Sequence, residues 1–132
     1  MSRYQSPLAK AKGLGSAKDG VHHWWMQRLT ALALIPLVLW FTVCALKIVL
    51  GNDVIILLQM LNSPIQLILF VLLLTIALYH GNLGMHEIIQ DYVHCRAVKT
   101  TLIVLLHVVT VIAIVSSVLA LVVAHLHGLF IS

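Results

Sequence analysis

Three apolar runs, at 29–50, 65–87 and 101–124, constrain this chain more than any other feature. Each is long enough to cross a hydrocarbon core of about 30 Å, which takes roughly 20 helical residues. A backbone in hydrocarbon has no water to bond, so such a run folds as a helix that satisfies its own amides. The expected architecture is an all-α membrane protein with transmembrane helices at about 29–50, 65–91 and 101–124. These form one transmembrane domain at 23–132, preceded by a segment at 1–22. Only 9% of the residues are charged and 61% are hydrophobic, against about 25% charged in a soluble domain. The formal charge of +4 does not indicate nucleic acid, because the basic residues flank apolar runs and form no soluble basic face.

Local signals refine these bounds. Trp24 and Trp25 read as an interfacial anchor. Arg28 opens the first run, where it can snorkel to the interface or turn inward to meet an anion. Pro36 deprives one carbonyl of its helical partner, and Gly51-Asn52-Asp53 ends the helix. The apolar stretch 54–61 is too short to span and is expected to lie in the outer interface. Ser63-Pro64 is a helix start, with Ser at the cap and Pro at the first helical position. Arg3, Lys10, Lys12, Lys18 and Arg28 lie before or at the start of the first run, and Arg96 and Lys99 follow the second, whereas only Lys47 lies near the opposite side. The positive-inside rule therefore puts the N-terminus and the 93–100 connection in the cytoplasm. Residues 1–20 contain neither the apolar core of a signal peptide nor an Arg- and Ser-rich transit pattern. A bacterial inner membrane is expected, with a mitochondrial inner membrane as the alternative.

Chemistry concentrates in the stretch from Tyr79 to Tyr92, where His80 sits in hydrocarbon, and ionisable groups there are functional candidates by default. At about 100° per residue, the eleven residues from His80 to Asp91 make roughly three turns plus 20°. His80, Gly84, Glu87 and Asp91 thus share one helix face, with His80 and Asp91 about 16 Å apart along the axis. Two readings of His80 stand on the residues alone: a hydrogen bond to a neighbouring helix, or ligation of haem iron beside the small Gly84. Asp91-Tyr92 reads either as an ordinary interfacial pair or as a polar site, and Asp91, Glu87, His22 and His94 could form a proton relay. Cys44 and Cys95 supply no disulfide framework and too few ligands for an iron–sulfur cluster. No dinucleotide or P-loop motif is present, so any flavin or cluster chemistry belongs to partner chains.

Two motifs together resemble a known family. One is His80, three residues, Gly84, six residues, Asp91-Tyr92; the other is Gly20-Val21-His22, five residues, Arg28-Leu29-Thr30-Ala31. They look like the D-type membrane anchor subunits of succinate dehydrogenase, respiratory complex II. The resemblance implies that His80 is an axial ligand of a b-type haem (haem b), with the second ligand from a sister C-type anchor subunit packed into the same bundle. It implies that Tyr92 hydrogen-bonds a ubiquinone carbonyl and that Asp91 lies beside that site, paired with an arginine of the sister subunit. Arg28 and His22 would lie near the haem propionates and the quinone pocket. A flavoprotein subunit carrying FAD and an iron–sulfur subunit carrying Fe–S clusters would dock on the cytoplasmic face. The chain alone would not catalyse; it would serve an enzyme complex. No role carries over to Glu87, His94 or His107. The alternatives are the haem-bearing anchor of a related fumarate reductase and a small membrane scaffold with no redox role, although the absence of an internal repeat argues against a transporter.

Overall fold

The structure is a computed structural model, and it describes residues 6–8, 18–51 and 63–131. Three long helices make up nearly all of the described chain: α1 (Lys18–Gly51), α2 (Pro64–Tyr92) and α3 (Arg96–Ile131). There is no strand among the described residues. At about 1.5 Å per residue, the shortest of them, with 29 residues, is about 44 Å long and exceeds the hydrocarbon thickness.

All three helices extend beyond the apolar runs. α1 begins at Lys18, not near Leu29, because 21–28 contains neither Pro nor Gly and polar side chains do not end a helix. Arg28 consequently lies ten residues inside α1, not at its mouth. α3 begins at Arg96 and runs to Ile131, so the expected 93–100 connection shrinks to Val93, His94 and Cys95. The start of α2 falls where Ser63-Pro64 places it, with Ser63 extended at the cap and Pro64 at the first position. The Ser63 hydroxyl makes no cap bond; instead its carbonyl accepts from the Leu67 amide at 3.1 Å. At the other end of α2, the Lys99 ammonium donates to the Gln90 carbonyl at 2.8 Å, placing a cation where the helix dipole is negative. Pro36 lies inside α1 without ending it. The stretch 54–61 lies outside the described residues.

α2 is the central helix. It packs on α1 along one side and on α3 along another, while α1 and α3 do not pack backbone to backbone. The interior is thin: among the described residues only Cys44, Leu73, Leu83 and Asn82 are buried. Leu32, Leu39, Ile65, Val111 and Ile112 are among the many exposed apolar side chains. Hydrocarbon, or another apolar chain, is the solvent in which that surface is stable. Half of the bundle is mostly apolar, with a long contact from the Cys44 thiol to Gln66 Oε1 at 4.0 Å. Phe70 packs edge-on against Trp40 and Phe41, beside a cleft of about 360 Å³ lined by side chains such as Phe41, Cys44, Phe70 and Leu121. Polar contacts between helices gather at the other end. Cys44 and Cys95 are both free thiols.

Candidate functional site

The α1–α2 seam is an antiparallel ladder in which residue numbers sum to 110 or 111. His80 meets Thr30, a Cβ added at Gly84 would touch Gln27 Nε2 at 3.6 Å, and Glu87 meets His23. The face that periodicity assigns to His80, Gly84 and Glu87 is therefore the face turned to α1. Over Gly84 lies the Gln27 side chain, in the space where the sequence allows a flat ligand to approach.

His80 Nδ1 lies 2.8 Å from Thr30 Oγ1. The same hydroxyl lies 2.8 Å from the Met26 carbonyl and 3.0 Å from the Gln27 carbonyl. A hydroxyl has one proton. Carbonyl oxygens that close require it, so Thr30 donates back into its own helix and its lone pair accepts from His80 Nδ1–H. In the neutral imidazole this arrangement leaves the lone pair on Nε2, the form in which imidazole binds a metal. The His80 side chain borders a cleft of about 310 Å³, with Trp24, Gln27, Arg28 and Ala31 as the remaining lining. The Arg28 guanidinium lies 4.3 Å from the centroid of the Trp24 ring. A cation–π contact of this kind orients the guanidinium and leaves its N–H groups free for an anion. His80 and Arg28 thus line one concave surface.

The remaining sequence candidates are arranged differently. Tyr92 is the last residue of α2 and is 78% exposed. Asp91 beside it is exposed, as are His22 on α1 and His94 in the 93–95 connection. Among the described residues, Asp91, Glu87, His22 and His94 do not assemble into a hydrogen-bonded relay, because Glu87 faces His23 and the other three point outward. Ladder arithmetic puts Arg28 level with residues 82–83, close to His80 and about nine residues deeper than Asp91 and Tyr92, so those three do not share one boundary.

A second polar cluster lies towards the Tyr92 end of α2, and the sequence reading did not find it. His23 Nδ1 is 2.9 Å from Glu87 Oε1, yet it is buried and makes no hydrogen bond, because the carboxylate does not meet the ring nitrogen in a bonding direction. The rings of His23 and His86 stack, with centroids 4.7 Å apart and planes inclined by 25°. His107 of α3 stands edge-on to His86 at 5.9 Å, and its Nδ1 is 2.7 Å from the Ile103 carbonyl, to which it donates. The only sequence-level hint was the density of histidines. Which of them meet depends on the register between helices.

Comparison with known proteins follows the same lines. The sequence profile described as Succinate dehydrogenase/Fumarate reductase transmembrane subunit matches residues 2–120. A Rickettsia bellii protein named Succinate dehydrogenase hydrophobic membrane anchor subunit is 37% identical over 117 residues, spanning 89% of this chain and 93% of its own. The protein of that name from Rickettsia conorii is 35% identical over 119 residues, spanning 89% and 94%. One from Paracoccus denitrificans is 33% identical over 91 residues, spanning 68% and 69%.

Proposed function

Because the chain belongs to the succinate dehydrogenase/fumarate reductase transmembrane subunit family, a multi-pass membrane family, we propose that it is one of two membrane anchors of a succinate:ubiquinone oxidoreductase, holding half of a b-type haem and part of the quinone site. The observation that carries the haem half is the Thr30–His80 hydrogen bond. In the neutral imidazole it leaves the lone pair on Nε2, and His80 and Arg28 line one cleft, a donor set that fits an iron porphyrin with anionic propionates. Bound there, the haem supplies a one-electron redox centre. His80 would hold its iron through a ring nitrogen, Thr30 would fix the plane of that imidazole, and Arg28 would offset propionate charge. A sister C-type anchor would supply the other half of the haem site.

Reduction of a quinone takes up two electrons and two protons. A phenol suits the acceptor end. Tyr92 donates one hydrogen bond to a quinone carbonyl. That bond strengthens as negative charge grows on the oxygen. Asp91 lies next to it at the end of α2, close to the aqueous boundary that delivers protons. The exposure of Tyr92 suits a pocket completed by other chains, with the iron–sulfur subunit and the flavoprotein docked on the cytoplasmic face and His22 near the same rim. Bacterial relatives from Rickettsia and the positive-inside pattern support an inner-membrane location with the N-terminus in the cytoplasm. Relatives named for succinate dehydrogenase favour that direction of turnover over fumarate reduction.

Purified complex decides the reading. His80→Ala removes the reduced-minus-oxidised b-type spectrum, and an unchanged spectrum takes His80 out of the coordination sphere. Tyr92→Phe lowers quinone turnover by about tenfold, the cost of one hydrogen bond of about 1.4 kcal/mol, while the haem spectrum persists. Wild-type turnover in that variant rejects the assignment of the phenol.

A further inference from the structure

We propose that His23, His86 and Glu87 form a binding site for a divalent transition cation of the zinc class, clamping α1 to α2 at a position separate from His80. Their ligand atoms all lie within 4.8 Å of one another. Metal–donor bonds of about 2.0–2.2 Å meeting at 90–110° separate neighbouring donors by roughly 2.9–3.5 Å. The separation of 2.9 Å between His23 Nδ1 and Glu87 Oε1 already falls in that window. The third donor needs only a side-chain adjustment on the order of 1–2 Å to join it.

Three features favour a cation over the alternatives. His23 Nδ1 is buried without a hydrogen bond although a carboxylate oxygen is beside it, and buried polar atoms without partners are rare and need a reason. A metal ion accepts lone pairs from both atoms at once. The His86 nitrogens are not firmly committed elsewhere: Gln90 Nε2 is 3.4 Å from each of them, too long to hold either firmly. Nor does the cluster suit a proton relay. Rings stacked face to face, inclined by 25° at 4.7 Å, cannot pass an N–H to one another, since that bond lies in the ring plane.

The donor set narrows the ligand. Two imidazoles and one carboxylate match zinc and its neighbours in the first transition row, whereas calcium and magnesium take oxygen donors. Three protein ligands leave a fourth position for water. His107 closes the α3 side edge-on to His86. Glu87 is 47% exposed, which provides an entry path. The three ligands come from two helices, so a bound cation ties α1 to α2 about two turns along α2 from His80.

The test uses the purified complex containing this chain, stripped with a chelator and titrated with Zn²⁺. Metal content and zinc-edge X-ray absorption are the readouts, which separate zinc from any iron present. One zinc per chain is expected, bound below about 100 µM, with two imidazoles and one carboxylate in its shell. Glu87→Gln, which keeps the side-chain shape, and His86→Ala each lower the affinity at least tenfold. His94→Ala, which changes an exposed histidine in the connection, leaves it unaltered. Should His86→Ala fail to assemble, Glu87→Gln decides alone. Absence of binding at about 100 µM in the wild type, or a zinc affinity indifferent to Glu87→Gln, overturns the proposal. None of these outcomes depends on the haem assignment, which is read from His80 variants.

Discussion

Along its seam with α1, α2 presents His80, Gly84 and Glu87 to Thr30, Gln27 and His23. Along its seam with α3 it presents Asn82, His86 and Gln90 to Thr110, His107 and Lys99. The α3 seam is largely closed. Asn82 Nδ2 donates to Thr110 Oγ1 at 2.8 Å, the Thr110 hydroxyl donates to the Leu106 carbonyl at 2.8 Å, and Lys99 covers the Gln90 carbonyl. The α1 seam is open: the Nε2 lone pair of His80, the guanidinium of Arg28 and the bare Nδ1 of His23 have capacity left over. Polar groups that satisfy one another inside a bilayer hold helices together. Polar groups that stop one bond short are where a ligand adds most.

That contrast predicts different failures on the two sides of α2. The largest expected effect after loss of His80 itself is Thr30→Val, which removes the acceptor that fixes the His80 tautomer. With His80 on haem iron as proposed, haem affinity falls by about 10–100-fold, measured by haem retention during purification, with helix content by circular dichroism unaltered. Asn82→Leu on the closed side does the reverse. It costs about 0.6–1.7 kcal/mol of helix association, seen as a lowered melting temperature of the complex, while the haem spectrum keeps its shape. A spectrum more sensitive to Asn82→Leu than to Thr30→Val breaks the contrast. The smallest effect belongs to Gly84→Ala. The added methyl meets Gln27 Nε2 at an ordinary contact distance of 3.6 Å, so stability changes by about 0.5 kcal/mol or less and haem content holds. Loss of haem in that variant would mean that Gly84 is approached by something other than Gln27.

Apolar length was enough to read the three helices from the sequence, and Ser63-Pro64 set the start of α2 to the residue. Helical period put His80, Gly84 and Glu87 on one face, as the ladder with α1 bears out. Period has no information about what faces them. The register of α1 against α2 depends on a connection whose path no local rule supplies. Moving from His22 to His23 rotates the side chain by about 100°, which decides which of two adjacent histidines meets Glu87. Thr30 was equally hidden: a threonine in an apolar helix carries no mark of function until an imidazole lies opposite. The early start of α1 and the long α3 were missed for a different reason. Hydropathy reports where lipid ends, whereas a helix ends where caps, Gly or Pro end it, and 21–28 and 96–100 contain neither Gly nor Pro.

The thinness of the interior reaches beyond the site. A protein with four buried side chains among its described residues has little to hold it in one shape when alone, since dispersion contacts accumulate only where surfaces meet. Its folding equilibrium is therefore linked by mass action to whatever chains cover its exposed faces. The amount of folded polypeptide thus tracks the supply of the chains that cover those faces.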